Sequence, residues 1–122
     1  MRPMSMTLTD EQAISDVSEY VNSLQGPVSA TTLEGDVTEG KASYMVCVSC
    51  HGPNGEGNKA LNAPKLSGIQ DWYIVRQLQH FKKGIRGANP KDTYGMQMRP
   101  MSMTLPDEKA MKNVAAYIST FK

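Results

Sequence analysis

The pentapeptide Cys47-Val48-Ser49-Cys50-His51 constrains this chain more than any other feature. Two thiols two residues apart, followed at once by an imidazole, have the spacing by which a chain attaches a c-type haem. Each thiol can form a thioether to one vinyl group of the same porphyrin, and His51 then lies beneath the ring with a nitrogen for the iron. A thioredoxin-type dithiol or half of a zinc site would use the same cysteines, yet neither requires the adjacent histidine. No third cysteine exists to complete a zinc set, and His80 is the one further imidazole. The expectation is a fold wrapped around a flat apolar group. With 122 residues and 39% hydrophobic content, one such domain is the natural capacity of the chain, and a buried macrocycle would complete its core.

A formal charge of +1 gives no reason to invoke nucleic acid or an acidic membrane surface. No run of 18 apolar residues is present, so no segment reads as a membrane-spanning helix. The opening Met1-Arg2-Pro3-Met4-Ser5-Met6 lacks the apolar stretch of a secretion signal. Covalent haem attachment nevertheless implies work outside the cytoplasm. The expectation is a periplasmic or periplasm-facing protein whose export signal or membrane anchor precedes these residues.

The chain also repeats itself. MRPMSMTL occupies residues 1–8 and again 98–105, and the likeness continues 97 positions apart through Asp10-Glu11 with Asp107-Glu108, Val17 with Val114 and Tyr20 with Tyr117. Both copies then carry an apolar stripe at helical spacing: Ala13, Ile14, Val17, Tyr20, Val21 and Leu24; Ala110, Met111, Val114, Tyr117, Ile118 and Phe121. Thr7 with Asp10, or Thr9 with Gln12, suits a capping box at the first helix, and Thr104 with Asp107 at the second. Each copy thus reads as a methionine-rich loop feeding an amphipathic helix. Residues 25–35 have the small, polar, Pro/Gly character of a linker, and a new unit spans 36–122.

In that unit Val37, Gly40 and Tyr44 share one face of a short helix leading to Cys47, and Gly40 leaves room for another helix to cross closely. Gly52–Gly68 is loop-like. From Asp71, a candidate N-cap, Ile74, Val75, Leu78 and Phe81 recur at helical spacing until Gly84. Arg86–Met101 reads as a second long loop before the final helix. No segment alternates with the period of a strand, so the class is all-α.

This order, together with Gly40-Lys41, Tyr44, CVSCHGPNGEG, Ala63-Pro64-Lys65-Leu66 and Arg99-Pro100-Met101, resembles the class I cytochrome c family over residues 36–122. The resemblance implies three main helices around one covalent haem c, to which the helix read from the stripe of the first repeat copy is an extra at the N-terminus. It implies attachment at Cys47 and Cys50, His51 as the proximal ligand, and a carbonyl at Pro64 that accepts a hydrogen bond from the other nitrogen of that ring. The family's distal ligand is a methionine on the loop before the last helix. Met96, Met98, Met101 and Met103 compete, and Met101 stands in the family's register, behind a stiffening Pro100. Trp72, Tyr94 and Arg86 carry donors suited to haem propionates, although an indole opening a helix is also ordinary core. Lys82, Lys83, Arg86 and Lys91 suit either a basic rim for an acidic partner or plain solvated surface. His80 sits on the polar side of its helix and would reach iron only if that helix moved.

The implied function is single-electron transfer at high potential, to or within a respiratory chain, with an oxidase, a cupredoxin or another cytochrome as partner. No general base or nucleophile suggests an enzyme. A haem module with a labile sixth ligand is the alternative. Residues 1–24 read as the tail of a preceding cytochrome unit in a tandem dihaem protein. They are expected to pack outside the intact domain, with pairing or exchange between chains, or a mobile segment, as the alternatives.

Overall fold

The computed structural model describes residues 2–24 and 31–121. Its elements are α1 (Arg2–Ser5), α2 (Glu11–Ser23), α3 (Val37–Tyr44), α4 (Val48–His51), α5 (Asp71–Lys82), α6 (Thr93–Met103) and α7 (Glu108–Ile118), with a 3-10 turn at Lys59–Leu61. Among the described residues the only bridge pairs Asn58 with Ala63, so the fold is all-α, as expected.

The unit is organised by α3, α5 and α7. Asp36 caps α3, accepting from the amides of Thr38 (2.8 Å) and Glu39 (3.0 Å). Where α3 crosses α7 the two backbones touch, because Gly40 has no side chain. A Cβ there would stand 2.0 Å from the Asn113 carbonyl oxygen and 2.9 Å from Tyr117 Cβ. Buried Asn113 fastens the seam: its carbonyl accepts from the Asp36 amide at 2.9 Å and its amide donates to Glu39 Oε2 at 2.6 Å. Tyr44 packs its ring on Tyr117 and Phe121 at centroid distances of 5.5 and 5.2 Å, and its hydroxyl donates to the Gly52 carbonyl at 2.8 Å. The crossing foreseen from Gly40, Tyr44 and Tyr117 is therefore present. Ile74 and Val75 of α5 meet Met111, Val114, Ala115 and Ile118 of α7 in the core, each such large apolar side chain contributing about 1.5–3 kcal/mol on burial.

Three local expectations are corrected. Asp71 is the first residue of α5 and not its cap; Gln70 holds the cap position. The Asp71 carboxylate instead turns back to the preceding segment, accepting from Thr32 N (2.6 Å), Thr32 Oγ1 (2.7 Å) and Leu33 N (2.7 Å), besides Trp72 N (2.7 Å). Second, much of Arg86–Met101 is helical, with Pro100 inside α6. Asp92 caps that helix by accepting from Gly95 N at 2.9 Å, and the cap together with the packing of α6 on α5 offsets the lost bond and ring clash of the proline. Third, aspartates and not threonines cap the repeated helices. Asp10 accepts from Ala13 N and Asp107 from Ala110 N, both at 2.8 Å, while Thr7 and Thr104 donate back to the carbonyls of Met4 and Met101, both at 2.7 Å.

The two copies of the repeat thus share local structure down to individual hydrogen bonds, yet they differ in packing. The α7 stripe is buried. On α2, Ile14, Val17, Tyr20, Val21 and Leu24 all stay exposed, with Tyr20 at 66%. The expected packing of residues 1–24 against the outside of the domain is not what the structure shows. The linker expected at 25–35 falls partly outside the described residues.

Candidate haem site

A largely apolar cavity of about 420 Å³ opens beside Cys47 and His51, of a size suited to a cofactor. Cys47 and His51 form one wall. Pro64, Leu66 and Ile69 come from the loop, Tyr73, Ile74, Gln77, Leu78 and Phe81 from α5, and Met98 and Met101 from α6. Leu105, Val114 and Ile118 close the apolar end.

His51 is held as an iron ligand needs to be. It is buried at the end of α4, and its Nδ1 lies 2.8 Å from the Pro64 carbonyl oxygen. A carbonyl only accepts, so Nδ1 carries the proton and Nε2 keeps its lone pair. The contact depends on Gly57 at φ +80°, where a Cβ would come within 2.6 Å of Lys65 N and 2.8 Å of Ala63 O. Any other side chain there would push the Pro64 segment away from the imidazole. The Gly57 amide also donates to the His51 carbonyl at 2.8 Å, tying the loop to the histidine through its backbone.

Cys47 lines the cavity, while half-buried Cys50 stands on the next turn outside its wall. Burial, and secondarily the neighbouring Cys50, push the Cys47 thiol up to about 11. A redox-active dithiol needs the opposite shift, since the thiolate is its nucleophile. Among the described residues no three His, Cys, Asp or Glu side chains stand together as a metal-ion site. An apolar cavity with the Cys47 thiol and a tautomer-fixed histidine at its wall, and the Cys50 thiol on the adjoining turn, fits a covalently held haem.

The four candidate methionines separate. Met98 and Met101, three residues apart on α6, both line the cavity; Met96 and Met103 do not. Arg86 and Tyr94 also line it. The Arg86 guanidinium lies 4.5 Å from the Phe81 ring centroid and donates to Gln77 Oε1 at 2.7 Å. Trp72 faces elsewhere, into a second groove with Leu33, Val75 and His80, so neither its indole nor His80 meets the cavity. Tyr73 and Gln77 went unnoticed as wall residues. The signal was their i, i+4 spacing on the same helix as Ile74 and Phe81.

A family model described as cytochrome c matches residues 37–122. The chain is similar to cytochrome c4 of Thiocapsa roseopersicina, 40% identical over 97 residues, covering 78% of this chain and 45% of that protein. It is 31% identical over 117 residues to cytochrome c4 of Azotobacter vinelandii, covering 88% and 53%. Among solved structures, cytochrome c4 of Acidithiobacillus ferrooxidans superimposes with a TM-score of 0.77 at 28% identity, covering 98% of this chain and 69% of that one. The chain spans about half the length of the curated relatives it matches. With the family model covering the unit that holds the Cys-x-x-Cys-His motif and its cavity, the chain belongs to the cytochrome c family, whose cofactor is covalently bound haem c.

Proposed function

We propose that this protein is an electron carrier whose haem is attached through Cys47 and Cys50 and ligated by His51 and Met101. The observation that carries this reading is the buried His51 with its Nδ1 on the Pro64 carbonyl, in a cavity also lined by Met98 and Met101. When bound, the haem supplies a one-electron iron couple. The protein's part is to fix the histidine tautomer, present a thioether and exclude water with apolar walls, which together favour the reduced iron and a high potential. Met101 is preferred over Met98 because Pro100 precedes it and because the Thr104 hydroxyl and amide both bond its carbonyl. Arg86 and Tyr94 are suited to the propionates, and the placement of Trp72 supports a packing role instead.

The charge distribution supports a partner class. Residues 1–35 hold five Asp and Glu against one Arg, whereas residues 36–122 hold twelve Lys and Arg against seven Asp and Glu. The haem unit is thus basic and suits an acidic redox partner, such as an oxidase subunit, a cupredoxin or another cytochrome. A periplasmic location follows from covalent haem attachment, and no described helix is long and apolar enough to cross a membrane.

Residues 1–24 we read as the closing loop and helix of a second cytochrome unit, on the strength of hydrogen bonds shared with 98–118. Exchange of α2 into the seat of α7 is disfavoured. Asp16 would replace Asn113 beside Glu39, and Glu19 would replace buried Ala116.

The test is spectroscopic. The purified protein should be red, keep its haem in acidified organic solvent, and show a sulfur-to-iron charge-transfer band when oxidised. Rapid stoichiometric carbon monoxide binding by the reduced protein at neutral pH would instead establish the labile-ligand alternative.

A further inference from the structure

We infer that Lys82 is a positioning residue for the sixth iron ligand, an inference that rests on the axial-methionine reading above. Lys82 closes α5, and its ammonium donates to two backbone carbonyls, those of Leu105 and, at 2.9 Å, Pro106. Both belong to the turn between α6 and α7, immediately after Met101 and the cap residue Thr104. The turn's own hydrogen bonds are local: Thr104 returns to the Met101 carbonyl and the Leu105 amide to Ser102. They shape the turn but do not fasten it to the rest of the unit. Besides buried Leu105, the polar tie across to α5 is Lys82; the other bond from α5 in this region, Gln79 to Glu108, is a long surface contact of 3.4 Å.

The chemistry suits the task. A half-buried ammonium donates to two carbonyls of the turn between the C-cap of α6, Thr104, and the N-cap of α7, Asp107. Such charge-assisted bonds are stronger than neutral ones. A methionine on α6 can leave the iron by rotation of its own side chain or by a shift of the helix end and the turn behind it, and Lys82 acts on the second route. Lys82 raises the free energy of the shift by holding the turn against α5. Loss of the clamp therefore increases the fraction of molecules whose sixth position is open, with the cavity walls unchanged, since Lys82 is not among the residues lining the cavity.

An added ligand that binds only the open form reports that fraction directly, because its apparent affinity scales with the competent population. In the haem-loaded, oxidised protein, Lys82→Met should tighten apparent imidazole binding about ten-fold and weaken the sulfur-to-iron band. Lys82→Arg, which keeps the cation and its donors, should restore most of both. Asp71→Asn, which loosens the fold at the far end of α5, serves as the stability control. It should lower the unfolding midpoint without changing imidazole affinity. The inference is overturned if Lys82→Met binds imidazole as the parent does, or if Asp71→Asn produces an equal change, or if Lys82→Arg fails to restore it. Absence of the band from the unsubstituted protein removes the axial-methionine reading and this inference with it.

Discussion

Replacing Gly40 with alanine tests the central contact of the fold. An added Cβ would lie 2.0 Å from the Asn113 carbonyl oxygen, 2.6 Å from its carbon and 2.9 Å from Tyr117 Cβ, where ordinary contact begins at 3.4 Å. Two of the three atoms are backbone, so no rotamer change relieves the clash, and α3 and α7 must part by about 1.4 Å at the crossing. Overpacking of this kind costs about 1–3 kcal/mol, and the unyielding neighbours place it near the upper end. Alanine recovers about 1 kcal/mol through its better helix propensity. The net expectation is a loss of about 2 kcal/mol, which for a domain this size lowers the melting temperature by about 8–16 °C. Separation of the helices should also loosen the Asn113–Glu39 bond and the Tyr44–Tyr117 contact. The assay is thermal and denaturant unfolding of the haem-loaded protein followed by far-ultraviolet circular dichroism. An unchanged or raised midpoint would refute the close-crossing argument, because propensity alone would then have decided the outcome.

Four further outcomes are expected. Burial opposes ionisation of Asp71, but hydrogen bonds from Thr32, Leu33 and Trp72 outweigh it and hold the carboxyl below its usual 3.8. Its contribution is therefore full above about pH 4 and lost as pH falls further, and Asp71→Asn should cost about 2 kcal/mol in unfolding experiments at pH 7 with a smaller difference in acid. For Tyr44, burial first and then nearby Cys47, Glu56 and Tyr117 push the hydroxyl from 10.0 up to about 12, although Cys47 ceases to contribute once it is a thioether. The stability that Tyr44 adds over Tyr44→Phe, about 1 kcal/mol, should be full below pH 10 and vanish as pH rises through 12; a constant difference across that window would contradict this. Met101→Ala should abolish the sulfur-to-iron band and lower the potential while Met98→Ala does neither, and the reverse result would reassign the ligand. Deleting residues 1–24 should change the stability of the haem unit by no more than about 0.5 kcal/mol, since the α2 stripe is exposed; a larger loss would mean that α2 packs on the unit in solution.

Much of this protein is legible in its residues because the signals are short-range. The spacing of Cys47, Cys50 and His51, the helical stripes and the small residue at Gly40 each lie within a few turns of chain, and the repeat is legible by identity alone. Together they determine an all-α fold that carries a haem-attachment motif. The hydrogen bond from His51 to Pro64 was anticipated only through family resemblance. Its geometry depends on Gly57 admitting another stretch of backbone, a contact that no local pattern encodes.

Tertiary structure decided the rest where one sequence had two plausible partners. Asp71 looks like a helix cap locally, yet it binds Thr32 and Leu33, nearly forty positions away. Pro100 reads as a helix breaker, yet the Asp92 cap and the packing of α6 on α5 keep it inside a helix. Of four equivalent-looking methionines, two line the cavity because helical rotation turns one face of α6 inward. The repeat states the point most sharply. α2 and α7 have the same caps and nearly the same stripe, so sequence alone makes both helices; only α7 finds α3 and α5 to bury that stripe against, and burial, unlike helix formation, requires a second surface.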